Sequence, residues 1–534
     1  MLNWIPVALF IFYVVLFHSR RRKDGVAALS GPSYISWVHG NLANLVFSQR
    51  YGDYEFDWQK KYGRAYRVRG CVGENRLMVA DPVGLKSIFQ NPDVFIPVPM
   101  QRTGSWILGG PHSIFYVFEH DHKRIRNVFN TAFTPSRLRA LVPSMQTVSR
   151  KVAEYWESLC SESTGAQAVG VVDIYKTLQQ LTLETVGECI MGYQFNGIGN
   201  DDHPVARNLF NILTLTAYKS RDDLVVSRIV SLLPEVALQY LLLNSSNEAS
   251  RALFRFKNIM APFSNELVAN KIKNQELGLE SSDLLSIVVS ENQKLHPPAK
   301  LIDPEIASQV AAILIAGQDT TGNTLAWAFY ELARHPQWQD KIREEIVESR
   351  SRVGELTYAE LEAMPCLNAY LKEILRFYPG VPYDERIAAT DTVLPLSKPV
   401  RDVDGQEVSE IVVLKGQMIL CGLASYNRNE EIWGDDADTF DPSRWLKDGS
   451  ATKMKSAGLG PYANLSTFFG GSHACIGWRF SLLEMQVIIA ELLLKFRFDL
   501  VEGVEIRPIV RNTLLPATMK DDHPQVPLKL TLIE

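Results

Sequence analysis

No two of the six cysteines (Cys71, Cys160, Cys189, Cys366, Cys421, Cys475) stand at CxxC spacing. That argues against a zinc cluster and a disulfide scaffold, and suits a reducing compartment. No excess of basic charge is present: the formal net charge is −5, so the chain is not built to bind nucleic acid. No internal repeat or low-complexity segment is present. The one G-x-G, in "NGIGND", has no third glycine in register and no strand–turn–helix context, so it is not a dinucleotide fingerprint. Nothing else reads as a nucleotide or flavin site. What remains is a chain of 534 residues, 46% apolar and 22% charged, able to bury a large core.

One long hydrophobic run does occur. The first 17 residues, "MLNWIPVALFIFYVVLF", are mostly apolar, and the basic cluster Arg20, Arg21, Arg22, Lys23 follows. A spanning helix needs about 17–25 apolar residues, and a signal peptide would carry its charge before the run. Residues 1–18 are therefore expected to be a membrane anchor with the basic side and the folded body in the cytosol. Residues 19–45 read as a basic, proline-containing linker with a hinge at Gly31-Pro32. Beyond it, Tyr66–Arg69 and Arg76–Ala80 read as short strands, and a helix begins near Pro82. The pattern is mostly helical from about 120 to 350, strand-like and rich in Pro and Gly from about 380 to 475, and helical again after Cys475. The expected class is mainly α, an α+β domain with a small β portion.

"IDPEIASQVAAILIAGQDTTGNTLAWAFYELARHP" has firm ends, with Asp303 as N-cap, Pro304 in the first turn and Pro336 as stop. It is apolar all round, hence buried. Its centre breaks the rules: Gly317 and Gly322 each cost about 1 kcal/mol against Ala, and Asp319 is a carboxylate in an apolar helix. Such a break points to function. Gly317 would let something flat approach. Thr320 would bond a small polar ligand or back-bond to a carbonyl, and Asp319 would relay protons. A buried helix with a harmless kink reads equally well.

"LTYAELEAMPCLNAYLKEILRFYPG" opens with a capping box, Thr357 with Glu360, and Pro365 starts a second helix that must end before Pro379. Glu373 and Arg376 share a face there, which by spacing alone is an ordinary exposed pair. In "STFFGGSHACIG", Cys475 lies among glycines before a buried helix. It reads as an inert core thiol, or as a thiolate ligand tuned by backbone N–H groups and the helix N-terminus. His473 with Cys475 would make half a small metal site, but no second ligand pair completes it.

Four motifs occur in one order: "AGQDTT" at 316–321, Glu373-x-x-Arg376, "FDPSRW" at 440–445 and "FFGGSHACIG" at 468–477. Together they resemble the cytochrome P-450 family of haem-thiolate monooxygenases, over nearly the whole chain and closest to its membrane-anchored eukaryotic, fungal-like members. The resemblance implies the cytochrome P-450 fold, with residues 46–534 as the haem-binding monooxygenase domain and haem b (iron protoporphyrin IX) as cofactor. It implies Cys475 as the iron ligand, with Phe468, Gly471 and Gly477 shaping its loop. It implies an ion network of Glu373, Arg376 and Arg444, and Asp319 with Thr320 as the catalytic pair. His122, Arg126, Arg386 and His473 take the places of propionate-binding residues. His122 stands where the family has Trp, His473 where it has Arg, and Phe469 where it has a small or polar residue. The resemblance further implies O2 and a lipophilic small molecule as substrates. It also implies an endoplasmic reticulum membrane location and an NADPH-cytochrome P-450 reductase as electron donor, with Lys123, Arg126 and Arg479 as candidate docking residues.

Overall fold

The computed structural model describes residues 25–34, 36–161, 169–217, 220–279, 281–446 and 458–533. The expected anchor at 1–18 lies outside them, and among the described residues no helix is long and apolar enough to cross a membrane. The rest is mainly helical with small sheets, as the pattern predicts.

The helices that build the site are α1 (Glu119–Asn130), α2 (Ile174–Thr185), α3 (Pro204–Thr216), α4 (Asp303–Arg334), α5 (Pro365–Phe377) and α6 (Trp478–Lys495). Burial along α4 is almost continuous from Thr321 to Ala333, and α2 is buried from Thr177 to Thr185. The two lie against each other through the core. α4 starts one residue earlier than its sequence suggests. Asp303 is its first helical residue, not its cap, and the Glu305 carboxylate instead accepts the Ile302 N–H at 2.9 Å. The reciprocal partnership sought at Thr357 is present, with Glu360 accepting the Thr357 N–H at 3.2 Å.

The strands β1 (Ala65–Arg69), β2 (Asn75–Val79), β3 (Phe95–Pro97), β4 (Tyr383–Ala388) and β5 (Met418–Gly422) form one sheet in the order β1-β2-β5-β4-β3. Only β2 and β5 are parallel in it. Arg386 on β4 faces Pro97 on β3 in the register. A separate antiparallel hairpin, β6 (Ile506–Arg511) and β7 (Thr513–Thr518), turns at Asn512, which takes a left-handed φ of 67°. The linker packs onto the body: Val26 and Leu29 are buried, and Ser30 N–H donates to Arg401 O at 3.3 Å. Gly31, expected at a hinge, lies so close to Arg67 that a Cβ would meet its carbonyl oxygen at 2.0 Å.

Candidate active site

The cysteine loop is bolted to its surroundings before it reaches Cys475. Ser466 is fully buried; its hydroxyl donates to Leu423 O at 2.8 Å, and its N–H to Asn427 Oδ1 at 3.1 Å. Thr467 Oγ1 donates to Leu375 O of α5 at 2.7 Å. Gly470 and Gly471 are there for room: a Cβ would meet Leu459 O at 2.2 Å and Phe89 O at 2.1 Å respectively. Gly471 also has a positive φ of 66°. Phe469 adopts φ 57°, a costly conformation for an aromatic residue, and its ring packs on Phe89 with centroids 5.6 Å apart. Cys475 N–H closes the loop on Phe468 O at 2.9 Å. The Gly477 N–H bonds the Cys475 sulfur, and α6 begins at the next residue. Burial pushes the Cys475 thiol up, while this N–H and the Arg126 charge pull the other way.

Several basic side chains gather beside that sulfur. His473 stacks on His122 of α1, centroids 3.8 Å apart and planes 8° from parallel. Burial first, then neighbouring positive groups, pulls His122 down to about 4 and His473 down to about 3. Both rings are neutral at pH 7, so each offers an N–H donor and no charge. The positive charge comes from Arg126 and Arg386, both of which act on His473. Arg126 Nε donates to Asn130 Oδ1 at 3.2 Å, and the Arg386 guanidinium pairs with Asp384.

The Glu373–Arg376 pair is not an exposed helix pair. Both side chains are fully buried, and Glu373 accepts from Arg376 Nη2 at 2.7 Å and Nε at 2.9 Å. Glu373 also accepts from Arg444 Nε at 3.0 Å, Trp445 Nε1 at 2.9 Å and Asp441 N at 2.9 Å. Arg376 spends its remaining donors on Ala437 O at 2.6 Å, Asn427 O at 3.0 Å and Thr439 O at 3.0 Å. Asn427 in turn holds Ser466 and Thr467 of the cysteine loop. Glu373, Arg376 and Arg444 thus saturate one another and the adjoining carbonyls; they fix the scaffold under Cys475.

On α4 the two glycines do not make room for a flat ligand, which corrects the expectation for Gly317. A Cβ on Gly317 would meet Val186 Cγ2 at 2.7 Å, and one on Gly322 the Gln179 amide at 2.8 Å. Both serve close packing against α2 and the turn that follows it. The open face is instead marked by Ala316, exposed, and Thr320, half-buried, in the middle of a buried helix. Thr320 Oγ1 back-bonds to Ala316 O at 2.8 Å. Asp319 is buried, and burial pushes its carboxyl up to about 6. A group poised that close to neutrality suits proton transfer. Thr321 Oγ1 lies 3.3 Å from Ser481 Oγ of α6, so the segments around Thr320 and Cys475 cross here.

Sequence reasoning missed the partners of Asp319. Thr513 Oγ1 of β7 donates to its Oδ2 at 2.6 Å. Asn323 Nδ2 donates to Thr513 Oγ1 at 3.1 Å, while Asn323 Oδ1 accepts from Tyr175 OH at 3.0 Å and Gln179 Nε2 at 2.6 Å. No spacing rule joins residues so far apart in the chain. The one usable signal was an odd polar surplus on α4, Gln318, Asp319 and Asn323 on an otherwise apolar helix.

A lone thiol bonded by a backbone N–H, beside two arginines and two histidine N–H donors and next to an open stretch of helix, fits a planar metal macrocycle with acidic side arms. Among the described residues no group of three or more His, Cys, Asp or Glu side chains could hold a metal ion by itself. The family comparison agrees: residues 30–525 match the cytochrome P450 family. The chain is a cytochrome P450. Its relatives include cytochrome P450 monooxygenase 91 of Postia placenta, 29% identical over 95% of this chain and 94% of that protein. Cytochrome P450 monooxygenase 81 of the same fungus is 30% identical over 97% and 96%. Ganoderic acid synthetase of Ganoderma lucidum is 29% identical over 98% and 97%. As a cytochrome P450 monooxygenase the chain requires haem and O2, and the residues around Cys475 suit that cofactor.

Proposed function

We propose that this P450 oxidises a lipophilic small molecule of fungal secondary metabolism, with Cys475 as the iron ligand and an NADPH-cytochrome P-450 reductase as electron donor. The observation that carries the ligand assignment is the Cys475 sulfur, bonded by the Gly477 N–H and felt by Arg126. When bound, the haem supplies dioxygen activation, and thiolate ligation favours O–O cleavage. The chain's own residues do the rest. The Glu373 knot holds the loop so the sulfur does not swing. The Gly477 N–H tempers the charge on the sulfur. Arg126 and Arg386, with the neutral imidazoles of His122 and His473, offer donors to the propionates. Asp319 keeps a proton close to where dioxygen is reduced, and the Thr320 hydroxyl, now turned to Ala316 O, is free to rotate towards a ligand.

The lipophilic substrate is supported by the apolar and aromatic segments near the central helix: Pro99–Gly109 packs on α4, and Glu235–Leu243 packs on Pro99–Gly109. The name of one relative ties it to ganoderic acid, which favours a secondary metabolite over an ingested compound.

Membrane attachment at the endoplasmic reticulum is part of the same reading. Beyond the apolar N-terminal run, Tyr34, Trp37 and Val38 are exposed, and so are Val226, Val236, Tyr240, Leu241 and Leu243. The His39–Asp222 contact at 3.6 Å brings these two stretches to one side. A patch of that character suits a bilayer surface. For reductase docking, Lys123 and Arg479 are exposed, whereas Arg126 is half-buried and faces the sulfur, so we assign docking to the first two.

The decisive test is the absorption spectrum of the reduced, CO-bound protein, repeated for Cys475→Ala. The wild type is expected to show the red-shifted thiolate band and the variant to lose it. A wild type without that band sinks the assignment.

A further inference from the structure

Asp319 and Thr320 are neighbours in sequence but not partners in space. Successive residues on a helix point about 100° apart. The Thr320 hydroxyl is occupied by Ala316 O, and the Asp319 carboxyl by Thr513 at 2.6 Å. The acid is therefore held from a direction that the catalytic pair does not explain, by the tip of the β6–β7 hairpin.

That tip is tied at three consecutive residues to three different elements. Asn512 Nδ2 donates to Thr216 Oγ1 at the end of α3, 3.2 Å away. Thr513 donates to Asp319 on α4. The Leu514 N–H donates to Gly380 O at 2.9 Å, and a Cβ on Gly380 would sit 3.5 Å from Thr320 Cβ. Behind Asp319, the relay of neutral amides continues through Asn323 and Gln179 to Gln318, with Tyr175 OH at its edge. The hairpin tip thus touches the acid, the alcohol's neighbour and the end of α3.

We propose that Thr513 is a positioning residue for Asp319: the hairpin tip, itself tied to α3 through Asn512, holds the carboxyl against Asn323 and away from Thr320. This rests on the P450 reading of the site and adds a residue to it. The groups facing Asp319 are neutral, Tyr175 of α2 included, because burial pushes its hydroxyl well above its ordinary range and keeps it protonated. Arg511 on β6 is engaged by Asp522 at 3.0 Å. Thr513 and Asn323 both pull the Asp319 carboxyl down against the upward push of burial. Removing the Thr513 hydroxyl must therefore move it further up.

The test uses the full-length, haem-loaded protein and needs no known substrate. The carboxyl C=O stretch of Asp319 is followed by infrared difference spectroscopy against pH, assigned by its absence in Asp319→Asn. Thr513→Val is expected to shift the stretch to higher frequency and its ionisation midpoint up by about one pH unit. Thr513→Ser is expected to restore both. With reductase and NADPH but no added substrate, Thr513→Val is expected to send a several-fold larger share of electrons to hydrogen peroxide. The CO-bound band is recorded for each variant. If it is missing from the wild type, the P450 reading of Cys475 has failed; if it is present, the infrared result judges Thr513 alone. An Asp319 band in Thr513→Val at the wild-type frequency and midpoint overturns the proposal, whatever the peroxide share.

Discussion

Two of the buried polar clusters in this core, around Glu373 and around Asp319, are built on opposite principles. Around Glu373, charge meets charge: Arg376 and Arg444 complete the carboxylate, and backbone carbonyls complete the arginines. Around Asp319, among the described residues, the partners are hydroxyl and amide groups and none is a cation. A buried carboxylate with matched cations is locked in one ionisation state and one geometry. A buried carboxyl with only neutral donors pays for desolvation in its pKa, and sits near the point where it can take or lose a proton. The first is a fastener and the second a proton handler.

The comparison breaks most visibly at the fastener. Glu373→Ala leaves Arg376 buried without its carboxylate and Arg444 with only Asp436, so a loss of about 3–5 kcal/mol is expected. Chemical denaturation and the fraction of protein that retains haem would read it. A loss below about 1 kcal/mol would show that the knot is not what holds the loop.

The proton handler predicts a smaller effect of opposite sign. The folded carboxyl of Asp319 is raised from 3.8 to about 6. Its ionisation therefore destabilises the fold, a penalty absent below pH 3.8 and complete above about 6. Asp319→Asn removes an ionisation penalty of about 2–3 kcal/mol at pH 7.5 and only about 0.5 kcal/mol at pH 4. Melting temperatures of wild type and variant should therefore differ in the variant's favour more at pH 7.5 than at pH 4. A difference that does not change with pH would contradict the neutral-partner picture. Product formation should fall in the same variant, because the amide cannot deliver a proton.

The smallest effect tests the packing behind Asp319, where Gly322 meets Gln179. Gly322→Ala gains about 1 kcal/mol of helix propensity and meets the Gln179 amide, a contact that costs about 1–3 kcal/mol if the amide cannot give way. A net loss near 1 kcal/mol is expected, with the Gln179–Asn323 bond broken. A net gain in thermal stability would mean that Gln179 moves freely and the amide relay is loose.

Much of the local architecture was readable because short-range rules govern it. The strands at 65–69 and 75–79, the helix from Pro82, the Thr357–Glu360 box and the Pro365 start all follow from neighbours within a few residues. The Asp303 cap was misplaced by one because Glu305, not Asp303, satisfies the exposed N–H. The role of Gly317 was misread for a different reason. A glycine announces that something comes close, but not what, and here it is Val186. The stacking of His122 on His473 was equally hidden, though both residues stood out as departures from the family pattern.

What the sequence alone determined is the set of local elements and the identity of the reactive groups: a thiol in a glycine loop, an acid and an alcohol in a buried helix, a Glu and an Arg one turn apart. Periodicity, capping and turn chemistry act within a few residues and are written in order along the chain. What only the tertiary structure decided is ionisation and partnership. Whether Glu373 is a surface charge or the centre of a knot, and whether Asp319 rests on Thr320 or on Thr513, depends on groups brought together from distant segments. Desolvation and hydrogen bonding act through space, so they are set by the packing of helices and hairpins and not by spacing along the chain.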